Sequence, residues 1–280
     1  MKIKTIGLMV HPGRQDSLEK AAAALKSFQE VGIHVCVEPW LRDSLAEDLP
    51  LLSAASADVM ISLGGDGTFL RSAKYAVGQG IPLLGINLGR VGFLTEIEFN
   101  ELALTAQHLA AGEFDLEARM LLRVQVNDEP PFLALNDAVV SRGGHSRLIT
   151  IDAHISKDQI GRYIADGVIV ATPTGSTGYS LSAGGPIISP SVPCMVITPI
   201  CAHSLQHRPV VVSDSANVHL HLRCEKQQGI LLTVDGQDAK ALNGTDRIAI
   251  SRADQTLKLI RIKEPHFFNL VREKLSQWSC

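Results

Sequence analysis

The spacing of apolar residues changes near residue 115 of this 280-residue chain. Before that point, short apolar runs alternate with segments whose apolar residues recur every three or four positions, which is the pattern of strands alternating with helices. This order is typical of a parallel sheet covered by helices on both faces, so the first part is predicted to be an α/β domain. The predicted strands are Lys4–Val10, Ile33–Val37, Val59–Leu63 and Ile81–Ile86.

Three amphipathic segments supply the predicted helices of this first part. One begins at Asp16, whose spacing to Glu19 matches a capping box. Another follows the third predicted strand and extends to about Val77, and the last covers Asn100–Ala111. Glycines follow the first and last of them, which is a common way for a helix to end.

From about Phe114 the apolar runs are short and are separated by turn sequences such as NDEPP, RGGH and NGTD. This pattern predicts a β-rich, sandwich-like second domain. The expected domain ranges are 1–115 and 116–264, with a C-terminal helix over about 265–280 that could pack back on the first domain. The predicted strands are Met120–Val126, Phe132–Ser141, Leu148–Ile155, Gly167–Ala171, Val192–Ile197, Val210–Ser213, Val218–Leu222, Ile230–Val234, Arg247–Ile250 and Leu257–Ile262.

Composition argues against several classes of protein. The formal charge is −3 and no basic tract is present, so no nucleic-acid partner is expected. No apolar stretch approaches the ~20 residues of a membrane-spanning helix, so no membrane partner is expected either. The five cysteines are scattered without a C-x-x-C pair, which indicates neither a metal cage nor a disulfide framework. A cytoplasmic globular protein is expected.

The segment ISLGGDGTFLRSAK, Ile61–Lys74, places a glycine turn between a predicted strand and a predicted helix. Such turns expose backbone N–H groups and a helix N-terminus, which together bind phosphate. The turn also carries Asp66, a negative charge where phosphate is expected. Asp is a favoured N-cap, which is one explanation. Three surrounding glycines favour a ligand site instead, because one turn seldom needs so many positions without a side chain.

A carboxylate beside phosphates has two chemical uses. It can help to hold Mg²⁺, whose charge offsets that of the phosphates. It can also accept the proton of a hydroxyl that attacks phosphorus, for which a weak base within hydrogen-bond reach is enough. Asp66 is therefore the candidate catalytic residue. Arg71, one helical turn further on, could reach a phosphate, but a solvated helix position explains it equally well.

A second group of candidate residues lies in the β-rich part. Pro173–Gly178 follows an apolar strand and offers backbone donors together with hydroxyls, although an ordinary turn would have the same composition. Asn136 and Asp137 stand within the strand-like segment Phe132–Val140 and need polar partners, for which a ligand is one candidate. Tyr179, taken alone, is more typical of a core residue than of a platform for a base.

Four blocks of the sequence, in this order, resemble the NAD kinase family. They are GGDGTFL at Gly64–Leu70, GINLGRVGFLTE at Gly85–Glu96, LND at Leu135–Asp137 and ADGVIVATPTGSTGYSLSAGGPIISP at Ala165–Pro190. The glycine turn alone would also fit 6-phosphofructokinases and the diacylglycerol or sphingosine kinases, whereas the last block separates the NAD kinases from them. The resemblance covers nearly the whole chain.

The resemblance implies an ATP-dependent enzyme that phosphorylates the 2′-hydroxyl of the adenosine ribose of NAD and forms NADP. It implies a Rossmann-like N-terminal domain and a β-rich C-terminal domain. It also implies NAD and ATP as substrates, Mg²⁺ or another divalent metal ion as cofactor, and a homodimer or homotetramer.

The resemblance also implies roles for particular residues. Asp66 matches the family's proton acceptor, and Gly67 beside it matches a dinucleotide contact. Asn136 and Asp137 match an Asn-Glu pair that contacts the ribose and the base. Asp137 is shorter than the Glu that many members carry, which should shift that contact slightly.

Further dinucleotide contacts are implied in the second domain. Asp166 matches a dinucleotide-binding Asp, while Arg147 and Gln237 fall at positions that contact NAD in some members. A stretch that commonly reads T-A-Y-S-L-S in the family here has Gly178 in place of Ala, and Tyr179 would be an aromatic wall against a base. This stretch comprises Thr177, Gly178, Tyr179, Ser180, Leu181 and Ser182.

Two rival functions fit part of the sequence. Another kinase of the GGDG group would explain Gly64–Thr68 but not Ala165–Pro190, and a lipid kinase would need a membrane-binding segment that is not evident. A dinucleotide sensor would bind NAD without turnover. A sensor has no use for a base at Asp66, so this second rival depends on Asp66 being a helix cap.

Overall fold

The computed structural model describes residues 2–45, 48–53, 56–89, 92–95, 97–143, 147–204, 206–223, 229–263 and 267–277. The chain divides into two compact units, one formed by Met1–Ala118 with Leu257–Cys280 and the other by Arg119–Thr256. The domain ranges expected from the sequence, 1–115 and 116–264, remain a prediction. None of the helices in the described ranges is long and apolar enough to cross a membrane.

The helices are mostly in the first unit. Three of them, Ser17–Glu30, Asp66–Gln79 and Leu102–Ala111, agree with the predicted segments within a few residues, whereas Pro39–Leu45 was not predicted. The segment before Leu102 is a short 3₁₀ turn, Phe99–Glu101, and a second 3₁₀ turn, Gly175–Thr177, precedes the helix of the second unit. The helices are α1 (Ser17–Glu30), α2 (Pro39–Leu45), α3 (Asp66–Gln79), α4 (Leu102–Ala111), α5 (Tyr179–Ser182) and α6 (Phe267–Gln277).

A parallel sheet forms the centre of the first unit. Its strands are β1 (Thr5–Val10), β2 (His34–Val37), β3 (Val59–Leu63), β4 (Leu83–Asn87) and β5 (Ile97–Glu98). They lie in the order β2-β1-β3-β4, with β5 also paired to β4, and every one of these pairs is parallel. All five residues of β3 are buried. The predicted α/β architecture is confirmed, and β3 delivers the glycine turn at its carboxyl end.

The capping box predicted at the start of α1 is wrong. Asp16 precedes the helix, but its side chain accepts no capping hydrogen bond from the helix backbone. Its carboxylate instead accepts hydrogen bonds from the guanidinium of Arg14. A cation two residues away therefore competes successfully for the oxygen atoms that the spacing to Glu19 assigned to the helix.

The second unit contains two antiparallel sheets. Their strands are β6 (Asp115–Val126), β7 (Phe132–Ala134), β8 (Asp137–Arg142), β9 (Ile149–Ile155), β10 (Asp158–Ala165), β11 (Gly167–Ala171), β12 (Cys194–Ile200), β13 (Val210–Ser213), β14 (Val218–Leu222), β15 (Ile230–Val234), β16 (Asp238–Leu242) and β17 (Arg247–Arg261). The first sheet has the order β10-β9-β14-β17-β6-β7, and the second has the order β13-β12-β11-β8-β15-β16. The first few residues of β6 and the last few of β17 are counted with the other unit.

One apolar core lies between these two sheets. The first sheet contributes Leu122, Ile149, Ile151 and Leu220, and the second contributes Val140, Val168, Val170, Met195, Ile197 and Leu232, all of them buried. Two sheets that pack face to face in this way form a β-sandwich. The predicted sandwich-like fold of the second unit is confirmed.

The second sheet presents a different set of side chains on its other face. Along β8, Ala138 and Val140 belong to the core, so the alternate residues Asp137, Val139 and Ser141 face away from it. Thr233 on β15 is paired with Val139 and lies on this same outer face. The outer face of this sheet therefore carries polar residues at the carboxyl end of β15 and the amino end of β8.

Three strand predictions are wrong in an informative way. The segment Phe132–Ser141 is two strands in different sheets, because the chain passes from the first sheet to the second at Leu135 and Asn136. The predicted strands Arg247–Ile250 and Leu257–Ile262 are parts of the single strand β17. The strands β10 and β16 are polar enough that the apolar pattern did not reveal them.

A charged cluster around one buried carboxylate joins three strands or strand ends of the first sheet. Asp152 on β9 is 3% exposed, and its carboxylate binds the guanidinium of Arg162 at 2.6 Å and that of Arg223 at 3.0 Å. Hydrogen bonding from Arg162, with a further contribution from Arg223, lowers the pKa of Asp152 to about 2. The folded protein therefore favours the ionised form of this carboxyl group more strongly than the unfolded chain does.

We expect Asp152→Asn to lower the free energy of unfolding by about 1–2 kcal/mol at pH 7, a modest value because both arginines are more than half exposed to solvent. The contribution is present above the ordinary Asp pKa and is lost as the pH falls toward 2, so wild type and variant should converge in acid. Urea unfolding at pH 7, 4 and 2.5 measures it. Asp158→Asn, at the exposed start of β10, is the control, and an equal loss in both variants would contradict the role of this cluster.

Candidate active site

The glycine turn after β3 carries Asp66 at the first residue of α3, not at its N-cap. The N-cap is Gly65, and no side chain makes a capping hydrogen bond at this end. The carboxylate of Asp66 instead accepts N–H hydrogen bonds from Phe93 and Leu94, each at 3.3 Å. These contacts are long and therefore weak. The helix-cap explanation of Asp66 is excluded, and its half-buried carboxylate is left able to interact with another group.

Gly92, in the same segment, lets the carboxylate of Asp66 approach the backbone closely. A Cβ atom on Gly92 would lie 1.9 Å from Oδ1 of Asp66, which is an impossible contact. The carboxylate thus rests directly on the backbone of the segment 92–94, which also donates its two hydrogen bonds. The block GINLGRVGFLTE therefore supplies the backbone against which the Asp66 carboxylate lies, which we call the seat of Asp66. Arg90, Val91 and Glu96 of this block lie outside the described residues.

Several buried polar atoms beside this turn have no hydrogen-bond partner within the described residues. They are Oγ of Ser62, Oγ1 of Thr68 and Nδ2 of Asn87. Buried polar groups in proteins almost always have partners, which include water and ligands. At the same turn, Gly65 and Gly67 face open space where any side chain would project. The N-terminus of α3 is consequently open to an approaching anion and rich in donors.

The phosphate contact expected of Arg71 stays a prediction, and its described contacts are with other groups. Its guanidinium donates to the backbone oxygen of Val10 at 2.6 Å and to the carboxylate of Glu38 at 3.1 Å. Both partners belong to the same unit as Arg71. The described contacts make Arg71 a link between α3 and the ends of two other elements.

The second unit has a cavity of about 320 Å³ on the outer face of its second sheet. Residues from β8, α5 and the end of β15 line it: Asn136, Asp137, Val139, Ser141, Tyr179, Thr233, Asp235 and Gly236. The volume is at the lower end of the range for small-molecule sites. The structure thus brings together three residues that the sequence singled out, Asn136, Asp137 and Tyr179.

Asn136 and Asp137 line this cavity, and each has a buried polar side-chain atom. Oδ1 of Asn136 is buried and accepts no hydrogen bond from the described residues. Asp137 is 5% exposed. Burial, followed by the negative charge of Asp235, raises the pKa of Asp137 to about 7. Near neutral pH this side chain can accept a hydrogen bond as a carboxylate or donate one as an acid.

The turn before α5 is packed against the backbone of Asn136. A Cβ atom on Gly175 would lie 2.1 Å from the backbone oxygen of Asn136, so only glycine fits there. A Cβ atom on Gly178 would meet nothing closer than 3.3 Å and would lie 4.0 Å from Nδ2 of Asn136 and from Oδ2 of Asp137. A methyl group on Gly178 would therefore require its neighbour Gly175 to shift by a few tenths of an ångström.

The helix α5 is fixed by buried hydroxyl groups, while its aromatic residue stays accessible. Ser180 and Thr198 share a buried hydroxyl–hydroxyl hydrogen bond of 2.9 Å. Thr177 donates to the backbone oxygen of Thr174 at 3.3 Å. Tyr179 remains 48% exposed and lines the cavity, which fits an aromatic wall better than a core residue.

The remaining candidates of the second unit do not line the cavity. Leu181 is half-buried and Ser182 is exposed, both on α5. Asp166 is half-buried and accepts a 2.5 Å hydrogen bond from the guanidinium of Arg142. Arg147 and Gln237 are both exposed, and Gln237 follows the lining residue Gly236 in the same turn.

Asp235 is the main lining residue that sequence reasoning missed. Its carboxylate accepts N–H hydrogen bonds from Leu135, Asn136 and Asp137 at 2.8, 2.7 and 3.2 Å. The dipeptide Asp235-Gly236 is a strong hairpin signal between two apolar runs, so the turn itself could have been predicted. Its contact with residues about 100 positions earlier had no signal in the sequence.

Comparison with known proteins identifies the family of this chain. Residues 6–114 match the family model described as the ATP-NAD kinase N-terminal domain, and residues 135–262 match the model of the ATP-NAD kinase C-terminal domain. A protein named NAD kinase from Desulforamulus reducens is 44% identical over 286 residues, covering 99% of this chain and 98% of its own. The chain belongs to the NAD kinase family.

Two further similarities support the NAD kinase assignment. An NAD kinase from Thermoanaerobacter sp. (strain X514) is 38% identical over 287 residues, covering 98% of this chain and all of its own. The crystal structure of yeast NADH kinase complexed with NADH matches with a TM-score of 0.87 at 26% identity, covering 99% of this chain and 88% of that one. The fold predicted from the four sequence blocks is thus confirmed over nearly the whole chain.

We expect Gly92→Ala to reduce NAD kinase activity at least ~10-fold while leaving the protein folded, because a Cβ atom 1.9 Å from Oδ1 must displace the Asp66 carboxylate. A steady-state assay together with a thermal melt measures both effects. Gly78→Ala, at an open position of the same unit in α3, is the control and should keep full activity. Full activity in Gly92→Ala would show that the seat of Asp66 is not needed.

Gly175→Ala and Gly178→Ala form a matched pair three residues apart. We expect Gly175→Ala to destabilise the second unit by about 3 kcal/mol, because its Cβ atom would collide with the backbone of Asn136. The second change should cost less than about 1 kcal/mol, because its nearest neighbour lies 3.3 Å away. Chemical denaturation of both variants measures the difference, and equal losses would contradict the packing described here.

Proposed function

We propose that this chain transfers the γ-phosphoryl group of ATP to the 2′-hydroxyl of the adenosine ribose of NAD, forming NADP and ADP. The observation that carries this proposal is the state of Asp66. Its carboxylate does not cap α3; it rests on Gly92 with two long N–H hydrogen bonds, beside a helix N-terminus that faces open space. This arrangement suits a base next to phosphates better than it suits a structural residue.

Asp66 acts in the proposal as the proton acceptor. The ribose oxygen forms a bond to the γ-phosphorus while the bond from that phosphorus to the bridging oxygen of ATP breaks, and ADP leaves with those electrons. The hydroxyl proton passes to the carboxylate of Asp66. Phosphoryl transfer depends mainly on positioning and on charge stabilisation, so a weak base at hydrogen-bond distance is sufficient. The N–H groups at the start of α3 favour the negative charge of the phosphates.

The cavity of the second unit is proposed to bind the NAD substrate. Oδ1 of Asn136 lacks a partner within the described residues and can accept a hydrogen bond from a ribose hydroxyl or an amino group. Asp137 lies beside it, and Tyr179 supplies an exposed aromatic face against which a base can stack. Gly67, Asp166 and the stretch Thr177–Ser182 enter the proposal through the family resemblance, as do Arg147 and Gln237.

A divalent metal ion, Mg²⁺ in the first instance, is proposed to accompany ATP. Among the described residues no group of three or more His, Cys, Asp or Glu side chains could hold a metal ion. A single carboxylate at the turn, Asp66, fits a Mg²⁺ ion that is held largely by nucleotide phosphates and water. When bound, such an ion would neutralise phosphate charge. A homodimer or homotetramer is proposed from the resemblance alone, and sedimentation velocity would determine which one forms.

We expect Asp66→Asn to lower the rate of NADP formation at least ~100-fold, the scale for loss of a general base, with the affinity for NAD nearly unchanged. NADP formation from NAD, ATP and Mg²⁺ is followed with an NADP-specific dehydrogenase, and NAD binding is measured by calorimetry. NADH is assayed in parallel, because the yeast relative was crystallised with it.

Asp16→Asn is the matched control, since Asp16 also stands at the start of a helix in the first unit. It should retain wild-type activity. Wild-type turnover in Asp66→Asn would mean that another group accepts the proton. A wild-type protein that binds NAD without forming NADP would favour a dinucleotide sensor, and one that binds no NAD would return the other GGDG kinases to consideration.

A further inference from the structure

Asp235 stands at the tip of the hairpin between β15 and β16 and has an unusual backbone conformation. Its φ angle is +50° and that of Gly236 is +66°, while the N–H of Gln237 donates to the backbone oxygen of Val234 at 3.0 Å. Two successive residues with positive φ are the mark of a type I′ turn, for which Asp-Gly is a preferred pair. The turn therefore holds the side chain of Asp235 in one direction.

That direction brings the carboxylate to the connection between β7 and β8. The N–H groups of Leu135, Asn136 and Asp137 donate to it at 2.8, 2.7 and 3.2 Å, and the N–H of Asp235 donates to the backbone oxygen of Asp137 at 3.0 Å. The three donors lie in the two-residue connection between β7 and β8 and at the first residue of β8. Four hydrogen bonds thus tie the hairpin to the segment that carries both cavity-facing polar residues, Asn136 and Asp137.

We propose that Asp235 is a positioning residue of the dinucleotide cavity, which sets the place of Asn136 and Asp137 and controls the charge that Asp137 presents to the ligand. The inference rests on the proposed function, because it takes NAD to be the ligand of this cavity. Asp235 also lines the cavity, so the side chains of Asp235 and Asp137 face the same small space.

Groups from neighbouring elements of the second unit surround the side chain of Asp137. The hairpin contributes Asp235, α5 contributes the phenol of Tyr179, and β11 contributes only Ala171 opposite it in the ladder. Burial and the Asp235 charge together raise the pKa of Asp137 to about 7. Three N–H donors stabilise a negative charge on Asp235. Asp137 is then a hydrogen-bond donor below neutral pH and an acceptor above it.

The test compares wild type with Asp235→Asn and Asp235→Gly. The first variant keeps the shape but removes the charge and turns one accepting oxygen into an N–H donor. The second keeps the turn, because glycine readily adopts positive φ, and removes the carboxylate altogether. Asp235→Gly therefore still tests the loss of the carboxylate if Asp235→Asn fails to fold. Asp128→Asn, in an exposed turn of the same unit, is the control for loss of one negative charge.

Two measurements need no ligand. Carboxyl ¹³C NMR follows the titration of Asp137, and its midpoint should fall by roughly one pH unit or more in both Asp235 variants, since a neighbouring negative charge is gone. Amide hydrogen exchange at Leu135, Asn136 and Asp137 should become at least ~10-fold faster. The control should match wild type in both measurements. An unchanged titration of Asp137 in the Asp235 variants would show that Asp235 does not control its charge.

Calorimetry with NAD at pH 6 and pH 8 supplies the third measurement. Both Asp235 variants should bind NAD at least ~10-fold more weakly. The pH dependence of their Kd should shift to lower pH, following the lower titration midpoint of Asp137. The kcat at saturating NAD should stay within about threefold of wild type, because Asp235 acts on placement of the ligand and not on the reacting atoms.

The outcomes separate this inference from the function on which it rests. Wild type that binds no NAD would overturn the proposed function and, with it, the dinucleotide role of Asp235. Wild type that binds NAD while both variants match its Kd and its Asp137 titration would overturn this inference alone. Weaker binding joined to a shifted Asp137 titration would support it.

Discussion

Along β8 and its neighbours, side chains point alternately to the two faces of the second sheet of the β-sandwich. One face packs in the apolar core, and the other lines the cavity. Ala138 and Val140 enter the apolar core, so Asp137, Val139 and Ser141 must face the opposite way. A strand cannot slip by one residue without placing Asp137 in the core, where an unpaired carboxylate is very costly. The burial of one face therefore fixes the register that presents the polar residues of the cavity on the other.

The cavity also depends on the segment by which the chain passes from β7, in the first sheet, to β8, in the second. Between the end of β7 and the first residue of β8, three backbone N–H groups have no partner on a neighbouring strand. Buried N–H groups need acceptors. The carboxylate of Asp235 satisfies all three from a hairpin turn about 100 residues later. Gly175 permits the following turn to rest on the backbone of Asn136 with no side chain between them. This connection thus becomes a rigid wall of the cavity.

Three aspartates show how one side chain takes on different properties from its surroundings. Asp152, between two guanidinium groups, has its pKa lowered to about 2 and serves stability. Asp137, buried beside another carboxylate, has its pKa raised to about 7 and can exchange a proton near neutrality. Asp66, half-buried on the backbone beside Gly92, accepts two long N–H hydrogen bonds from the described residues. Neighbours in space, not in sequence, decide among these states.

The sequence by itself determined the α/β and sandwich architectures, the glycine turn at the end of β3 and the family, because apolar periodicity and turn residues act over a few positions. Tertiary structure alone decided that Asp16 pairs with Arg14, that Arg71 binds Val10 and Glu38, and that Asp66 is not a cap. It alone split Phe132–Ser141 and revealed Asp235. Those outcomes depend on competition among hydrogen-bond partners, most of them far apart in the chain, and local patterns carry no record of which partner wins.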